Sequence, residues 1–264
     1  MKDRNNICIF YLLIIQMEER IKYLDEIFKN SNNVEKKIHI TWKNKNILTE
    51  KYSLIRNGIY NLKNQNPEYE FIISNDEEID EYLKMNMHEE DYNLIKGRHI
   101  VEKTDLWRLF KIYNEGGVYS DIDRLHNIPL KNLIKDDVKC ILPMHQSIDF
   151  SQDIMISCSK NIIHKRAIEL NLERRRKGCK NILYLGPITY FHAATEIILG
   201  YQIERRPSKE NLDLIREIIG KSKYISTYNE LPKYNLLTYQ GPPVEIDKKE
   251  FYKSQDVKHW TDKF

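Results

Sequence analysis

One stretch constrains the fold more than any other: Val101–Asp123, reading VEKTDLWRLFKIYNEGGVYSDID. Leu106, Leu109, Phe110 and Tyr113 recur at i, i+3, i+4 and i+7, which predicts a helix with one apolar face. Asp105 and Arg108, three apart, project from a neighbouring stripe of that helix. Gly116-Gly117 ends it, because glycine enters the left-handed conformation of a helix C-terminus without a Cβ clash. Val118–Asp123 then alternates as a strand, with Tyr119, Asp121 and Asp123 on one face and Val118, Ser120 and Ile122 on the other. Two carboxylates therefore stand side by side at a strand end. Such a pair suits a hard divalent cation shared with substrate phosphates. Charged pairs at strand ends are also commonly just solvated.

The segments before this one set its context. Lys37–Trp42 alternates as a first strand, with Ile38, Ile40 and Trp42 on one side. Leu48, Tyr52, Ile55, Ile59 and Leu62 give a helix, Tyr69–Ile73 a second strand, and Ser74 with Glu77 a capping-box start to another helix. Strand, helix, strand, helix is the order of an α/β protein with a parallel sheet and right-handed crossovers. Ligands in such sheets gather at the carboxyl ends of strands, where Trp42, Asn75-Asp76 and the Asp121/Asp123 pair all fall. Asn75 and Asp76 are expected to cap a helix, and a tryptophan at position 42 is, on the residues alone, expected to serve core burial rather than ligand contact.

Taken together, Thr104-Asp105-Leu106-Trp107-Arg108 and Gly116-Gly117-Val118-Tyr119-Ser120-Asp121-Ile122-Asp123 resemble the sugar-binding Asp-x-Asp region of family-32 glycosyltransferases. That family contains initiating α-mannosyltransferase-like enzymes, and the glucosyltransferase domains of large clostridial toxins are similar. The resemblance is specific over Lys37–Leu130. It implies a GT-A-type nucleotide-sugar-binding fold, α/β with a mostly parallel central sheet flanked by helices. It also implies transfer of a sugar from a UDP- or GDP-sugar, with Mn2+ or Mg2+ and with retention at the anomeric carbon. By the same resemblance Asp123, with Asp121 and His259, would hold the metal, and Trp42 with Thr41 would meet the nucleotide base. Arg108 would orient sugar or phosphate, Asp105 and Asp121 would accept sugar and ribose hydroxyls, and Tyr119 would line the donor site. Lys258-His259-Trp260 is similar to the segment that closes over the diphosphate, with Trp260 as its closing indole. Attack would come from the leaving-group face, so no protein nucleophile is required.

Further along, Val138–Pro143 and Ile154–Cys158 read as strands, the latter preceded by Gln152-Asp153, where the family often has an asparagine. Asn161–Lys177 reads as a helix whose last turn, Arg174-Arg175-Arg176-Lys177, is expected to be a solvated end complementing the helix dipole. Gly186-Pro187 opens a helix with proline at its first position, and Thr189 and Tyr190 serve either packing or the acceptor side of the cleft. Residues 207–239 add one helix carrying Leu212, Ile215 and Ile219, and two short strand-like runs.

At 264 residues the chain fits one large α/β domain over 31–264, preceded by an apolar segment and helix over 1–30. In that first part Ile7–Met17 is too short for a spanning helix, which favours a packed N-terminus over a membrane anchor or signal. Ile21, Leu24, Ile27 and Phe28 continue it as an amphipathic helix. The balance of 42 basic and 39 acidic residues gives no reason to expect a nucleic-acid partner. Cys8, Cys140, Cys158 and Cys179 match no zinc pattern and read as reduced, mostly buried thiols, which favours the cytoplasm over the secretory pathway, with disulfides the alternative that an even count leaves open. The acceptor class, whether glycan, protein or lipid, is open.

Two other classes compete with a transferase. An Asp-x-Asp phosphatase or nuclease would need a second acidic cluster or a Thr/Gly loop near Asp123, where the chain has Arg124-Leu125. A sugar-nucleotide-binding module without turnover would carry the same residues.

Overall fold

The computed structural model describes residues 2–49, 53–122, 129–145, 149–203 and 207–229. Among these residues seven strands form one sheet: β1 (Lys37–Thr41), β2 (Glu70–Ser74), β3 (Gly117–Ser120), β4 (Cys140–His145), β5 (Asp149–Phe150), β6 (Ile154–Ser157) and β7 (Ile225–Asn229). The order is β2-β1-β3-β6-β4, with β5 beside β6 along one edge of β4 and β7 along the other.

The α/β sheet flanked by helices is the expected architecture, but its parallel character is local. β1 pairs in parallel with β2 and β3, and β4 with β7, whereas β3 with β6, β4 with β6 and β4 with β5 are antiparallel. The expected mostly parallel sheet is thus a mixed one. The reason is connection length. β1 reaches β2 through a helical crossover, α1 to α10 being numbered in chain order and α2 spanning Ser53–Gln65, while β4, β5 and β6 follow one another through a few residues that permit only antiparallel return.

Both faces of the sheet are covered. On the thick face lie α1 (Lys2–Lys29), α3 (Asp76–Asn86), α4 (Glu89–Asn93), α5 (Ile100–Glu115), α7 (Ile162–Arg176), α9 (Pro187–Leu199) and α10 (Lys209–Lys221), packed against Tyr119, Leu142 and Met155. On the thin face α2 and Leu130 of α6 (Leu130–Leu133) pack on Ile38, Ile40, Val118, Ile141 and Ile156. Successive strand residues alternate between the two cores, so β3 is buried along its whole length. In α1, Met17, Leu24 and Phe28 join the thick core, and Arg20 donates to the carbonyls of Ile197 and Ile198 at the end of α9.

The turn from α5 into β3 needs both glycines. Gly116 and Gly117 have φ of 67° and 96°, and a Cβ on Gly117 would lie 2.6 Å from the Lys37 carbonyl oxygen. This places β3 flush against β1. The capping box before α3 sits one residue later than expected: Asn75 Oδ1 accepts from the Glu78 N–H at 2.9 Å, and Glu78 Oε2 from the Asn75 N–H at 3.0 Å. Ser74 is taken by β2, where it pairs with Thr41.

The basic run at the end of α7 also differs from expectation. Arg174 and Arg175 are buried, at 9% and 6% exposure, and only Arg176 and Lys177 are exposed. Arg175 Nη1 meets Glu102 at 2.9 Å, and its Nε donates to Asn171, so tertiary pairing rather than the dipole holds the turn together. Cys140, Cys158 and Cys179 are free thiols, and burial pushes Cys140 up to about 12.

Candidate functional site

The site grows from the crossing of α5 over the end of β3. Arg108 stands at its centre: its Nη2 lies 2.7 Å from Asp105 Oδ1, and its Nη1 lies 3.1 Å from both Asp121 Oδ1 and the Gln152 carbonyl oxygen. The Tyr119 hydroxyl donates to Asp121 Oδ1 at 2.5 Å, and the Arg108 guanidinium lies over the Tyr119 ring, 4.7 Å from its centroid. Trp107 packs edge-on against the same ring. From below, the Asp121 N–H donates to the Asp153 carbonyl at 2.7 Å, and Thr41 at the end of β1 reaches the Tyr119 hydroxyl.

The electrostatics follow from depth. Burial raises the Asp105 pKa against the opposing pull of Arg108. For Arg108, burial works to lower the pKa, but Asp121, Tyr119 and Asp105 outweigh it and hold the guanidinium charged. Burial raises Tyr119 well above its ordinary value, which keeps the phenol a donor toward Asp121. Asp121 is the member that reaches solvent, its side chain 28% exposed against 10% for Asp105 and 7% for Arg108. The arrangement is a buried ion-paired scaffold presenting one oriented carboxylate at a strand end.

Two residues complete the surroundings. Gln152 bonds Asp105 through its side chain as well as Arg108 through its carbonyl, and among the described residues its Oε1 has no hydrogen-bond partner. Among the same residues the buried Arg108 Nε has none either. Gly186, between α8 (Ile182–Leu185) and α9, packs so closely that a Cβ there would overlap Asp105 Oδ2 and lie 2.9 Å from Gln152 Nε2. Sequence spacing points to Asp105, Arg108, Tyr119 and Asp121, and the fold brings all four together. Gln152 and Gly186 are supplied by distant segments that no local pattern links to α5.

Trp42 is 8% exposed and belongs to the thin-face core with Ile38, Ile40 and Ile47, its backbone N–H bonded to the Ser74 carbonyl at 3.1 Å. Asp123, His259 and Trp260 lie outside the described residues. Among the described residues no cluster of three or more His, Cys, Asp or Glu side chains could hold a metal.

Residues 19–139 match the family described as "glycosyltransferase sugar-binding region containing DXD motif". The matched stretch contains every member of the Asp105–Arg108–Tyr119–Asp121 cluster. Over 175 residues the chain is 29% identical to inositol phosphoceramide mannosyltransferase 1 of Schizosaccharomyces pombe, a match covering 62% of this chain and 50% of that protein. The chain thus spans about half the length of the curated relative it matches. A solved structure titled PaToxG Glycosyltransferase aligns over 81% of this chain and 98% of that one, with 18% identity and a TM-score of 0.48.

Proposed function

We propose that this chain is a metal-dependent, retaining glycosyltransferase that moves a hexose from a nucleoside diphosphate donor to an acceptor. The observation that carries the reading is the Arg108-centred cluster with Asp121 at its solvent-facing edge, inside the matched region. Arg108 Nε and Gln152 Oε1, a donor and an acceptor without partners among the described residues, add to it, because a sugar hydroxyl is both acceptor and donor.

Asp121 is a hard oxygen donor two residues before Asp123, and a site with few protein carboxylates is the usual mode for magnesium or manganese, which keep donor phosphates in their shell. Asp123, with Asp121 and His259, would hold the cation, which when bound supplies charge neutralisation on the departing diphosphate. Arg108 fixes the direction of Asp121, and Tyr119 and Thr41 brace it from behind. Asp105 and Asp121 accept hydroxyls of sugar and ribose. Trp42 stands beside the base at the end of β1, and Trp260 closes over the diphosphate.

The relative's name supports a mannosyl donor and an inositol phosphoceramide-like lipid acceptor as the specific version of this reading. Manganese titration of donor hydrolysis, with UDP- and GDP-sugars and no acceptor, tests it. Hydrolysis should rise with metal in the natural chain and nearly vanish in Asp123→Asn, which keeps shape and removes charge. An unchanged metal response in Asp123→Asn overturns the assignment.

A further inference from the structure

Two residues before the Gly186 that packs on Asp105, Tyr184 lines a separate cavity of about 410 Å³ between α7, α8 and α9. At its wall Arg174 is buried. Its Nη1 donates to the Tyr184 carbonyl at 3.0 Å and the Thr189 hydroxyl at 2.6 Å, and its Nη2 lies 2.6 Å from His192 Nδ1. The guanidinium also covers the Tyr184 ring at 3.9 Å. Every one of these partners is neutral. Burial first, and then Arg174 itself, lower His192 to about 4, so at neutral pH the imidazole is uncharged and its Nδ1 accepts.

No carboxylate takes up the Arg174 charge in the ion pairs among the described residues. The two acids in the lining, Glu173 and Glu196, are both held by Arg166, which meets Glu173 at 2.9 Å and both Glu196 oxygens at 3.0 Å. Lys177 adds another cation to the lining. The lining's two cations, Arg174 and Lys177, are thus matched in number by two carboxylates, but those are engaged by Arg166, which also meets Glu169 at 3.7 Å, so that among the described residues Arg174 has no carboxylate partner of its own. A guanidinium has five N–H donors, of which these contacts use three. Burying a cation without a counter-charge is costly, and a bound anion that accepts from the remaining donors offsets that cost.

We propose that this cavity is a binding site for a small organic anion, whose phosphate or carboxylate is bonded by Arg174 and Lys177 and whose body packs on Tyr184, Leu170 and Ile203. Its volume falls in the range of small-molecule sites, roughly 300–1,000 Å³. The proposal does not depend on the transferase reading, since it invokes neither donor nor metal.

Calorimetric titration of the full chain with inorganic pyrophosphate, without divalent metal or sugar nucleotide, tests it. The natural chain should bind one equivalent. Lys177→Glu, at an exposed position, should weaken binding about tenfold or more with the melting temperature unchanged, and Arg174→Met should abolish it. Asp121→Asn should leave it intact, which separates this site from the donor site. Absence of binding to the natural chain, or binding that survives Lys177→Glu and is lost in Asp121→Asn, overturns the proposal. Glycerol 3-phosphate and phosphatidylinositol-containing vesicles then distinguish the sources. Lys177-dependent binding of the soluble ester alone assigns a free metabolite, and Lys177-dependent sedimentation with the anionic vesicles assigns a lipid headgroup.

Discussion

Arg108 and Arg174 expose similarly little surface, 6% and 9%, on helices α5 and α7 that pack together, though Arg108 lies deeper, and they are solvated by opposite means. Arg108 has two carboxylates within 3.1 Å, and its pKa is raised despite its burial. Arg174 has a hydroxyl, a carbonyl and an imidazole, and burial lowers its pKa. The first is a closed unit in which charge serves to orient a neighbour. The second keeps charge in reserve beside an open cavity. Exposed surface alone therefore does not separate a scaffold from a binding group; the charge of the partners does.

The sharpest way to break this contrast is Arg108→Met, which strands Asp105 as an uncompensated buried acid. Urea unfolding should show a loss of about 3–5 kcal/mol, the scale for removing one partner of a buried pair. A loss no larger than that of Arg174→Met would erase the distinction.

Next in size is Asp121→Asn. Its carboxylate is the most exposed of the cluster, so stability should move little, while donor affinity should fall about 10- to 150-fold, equivalent to ~1.5–3 kcal/mol for a hydrogen bond to a charged group. Titration of sugar nucleotide with manganese present measures it.

Acid sensitivity gives a smaller, graded effect. His39 and His192 are lowered to about 4 and His164 to about 3, each chiefly by burial, from an ordinary 6.5. With the folded pKa depressed, the unfolded chain binds more protons between these values, so stability falls as pH drops from 6.5 toward 4. Each histidine contributes at most about 1.4 kcal/mol per pH unit to that slope. His192→Asn, retaining an acceptor for Arg174, should reduce the proton uptake on unfolding by one near pH 5. An unaltered slope would mean His192 is not the neutral partner of Arg174.

Arg174→Met should cost least, within about 1 kcal/mol, because charge-assisted hydrogen bonds worth ~1.5–3 kcal/mol each are lost while the comparable desolvation cost of an uncompensated buried cation is relieved. Equilibrium unfolding of the variant checks this value.

The part of the site that was legible in the sequence is the part built from one continuous segment. Asp105 and Arg108 share a helical stripe, and Tyr119 and Asp121 share a strand face, so two periodicities and a Gly-Gly turn suffice to bring them together. Gln152 and Gly186 reach the same point through β6 and the α8–α9 corner, and spacing carries no information about such tertiary approach. The basic run at the end of α7 misleads for a related reason. Four consecutive cations look like a solvated helix end, yet the chain sends Arg174 to a cavity, Arg175 to Glu102 and Arg176 to Asp91. The mixed sheet was hidden because strand periodicity is the same for parallel and antiparallel pairing, and only connection length distinguishes them.

Helix α9 has both ends committed. At its start Gly186 abuts Asp105, and at its finish the carbonyls of Ile197 and Ile198 are taken by Arg20 of α1. Thirteen residues make a rod of about 20 Å, and one extra residue would rotate everything beyond it by about 100°. Such a rod works as a fixed-length spacer between the N-terminal helix and the Arg108-centred cluster. An insertion in an exposed turn outside α9 leaves this linkage alone, but within α9 even a single one throws it out of gauge.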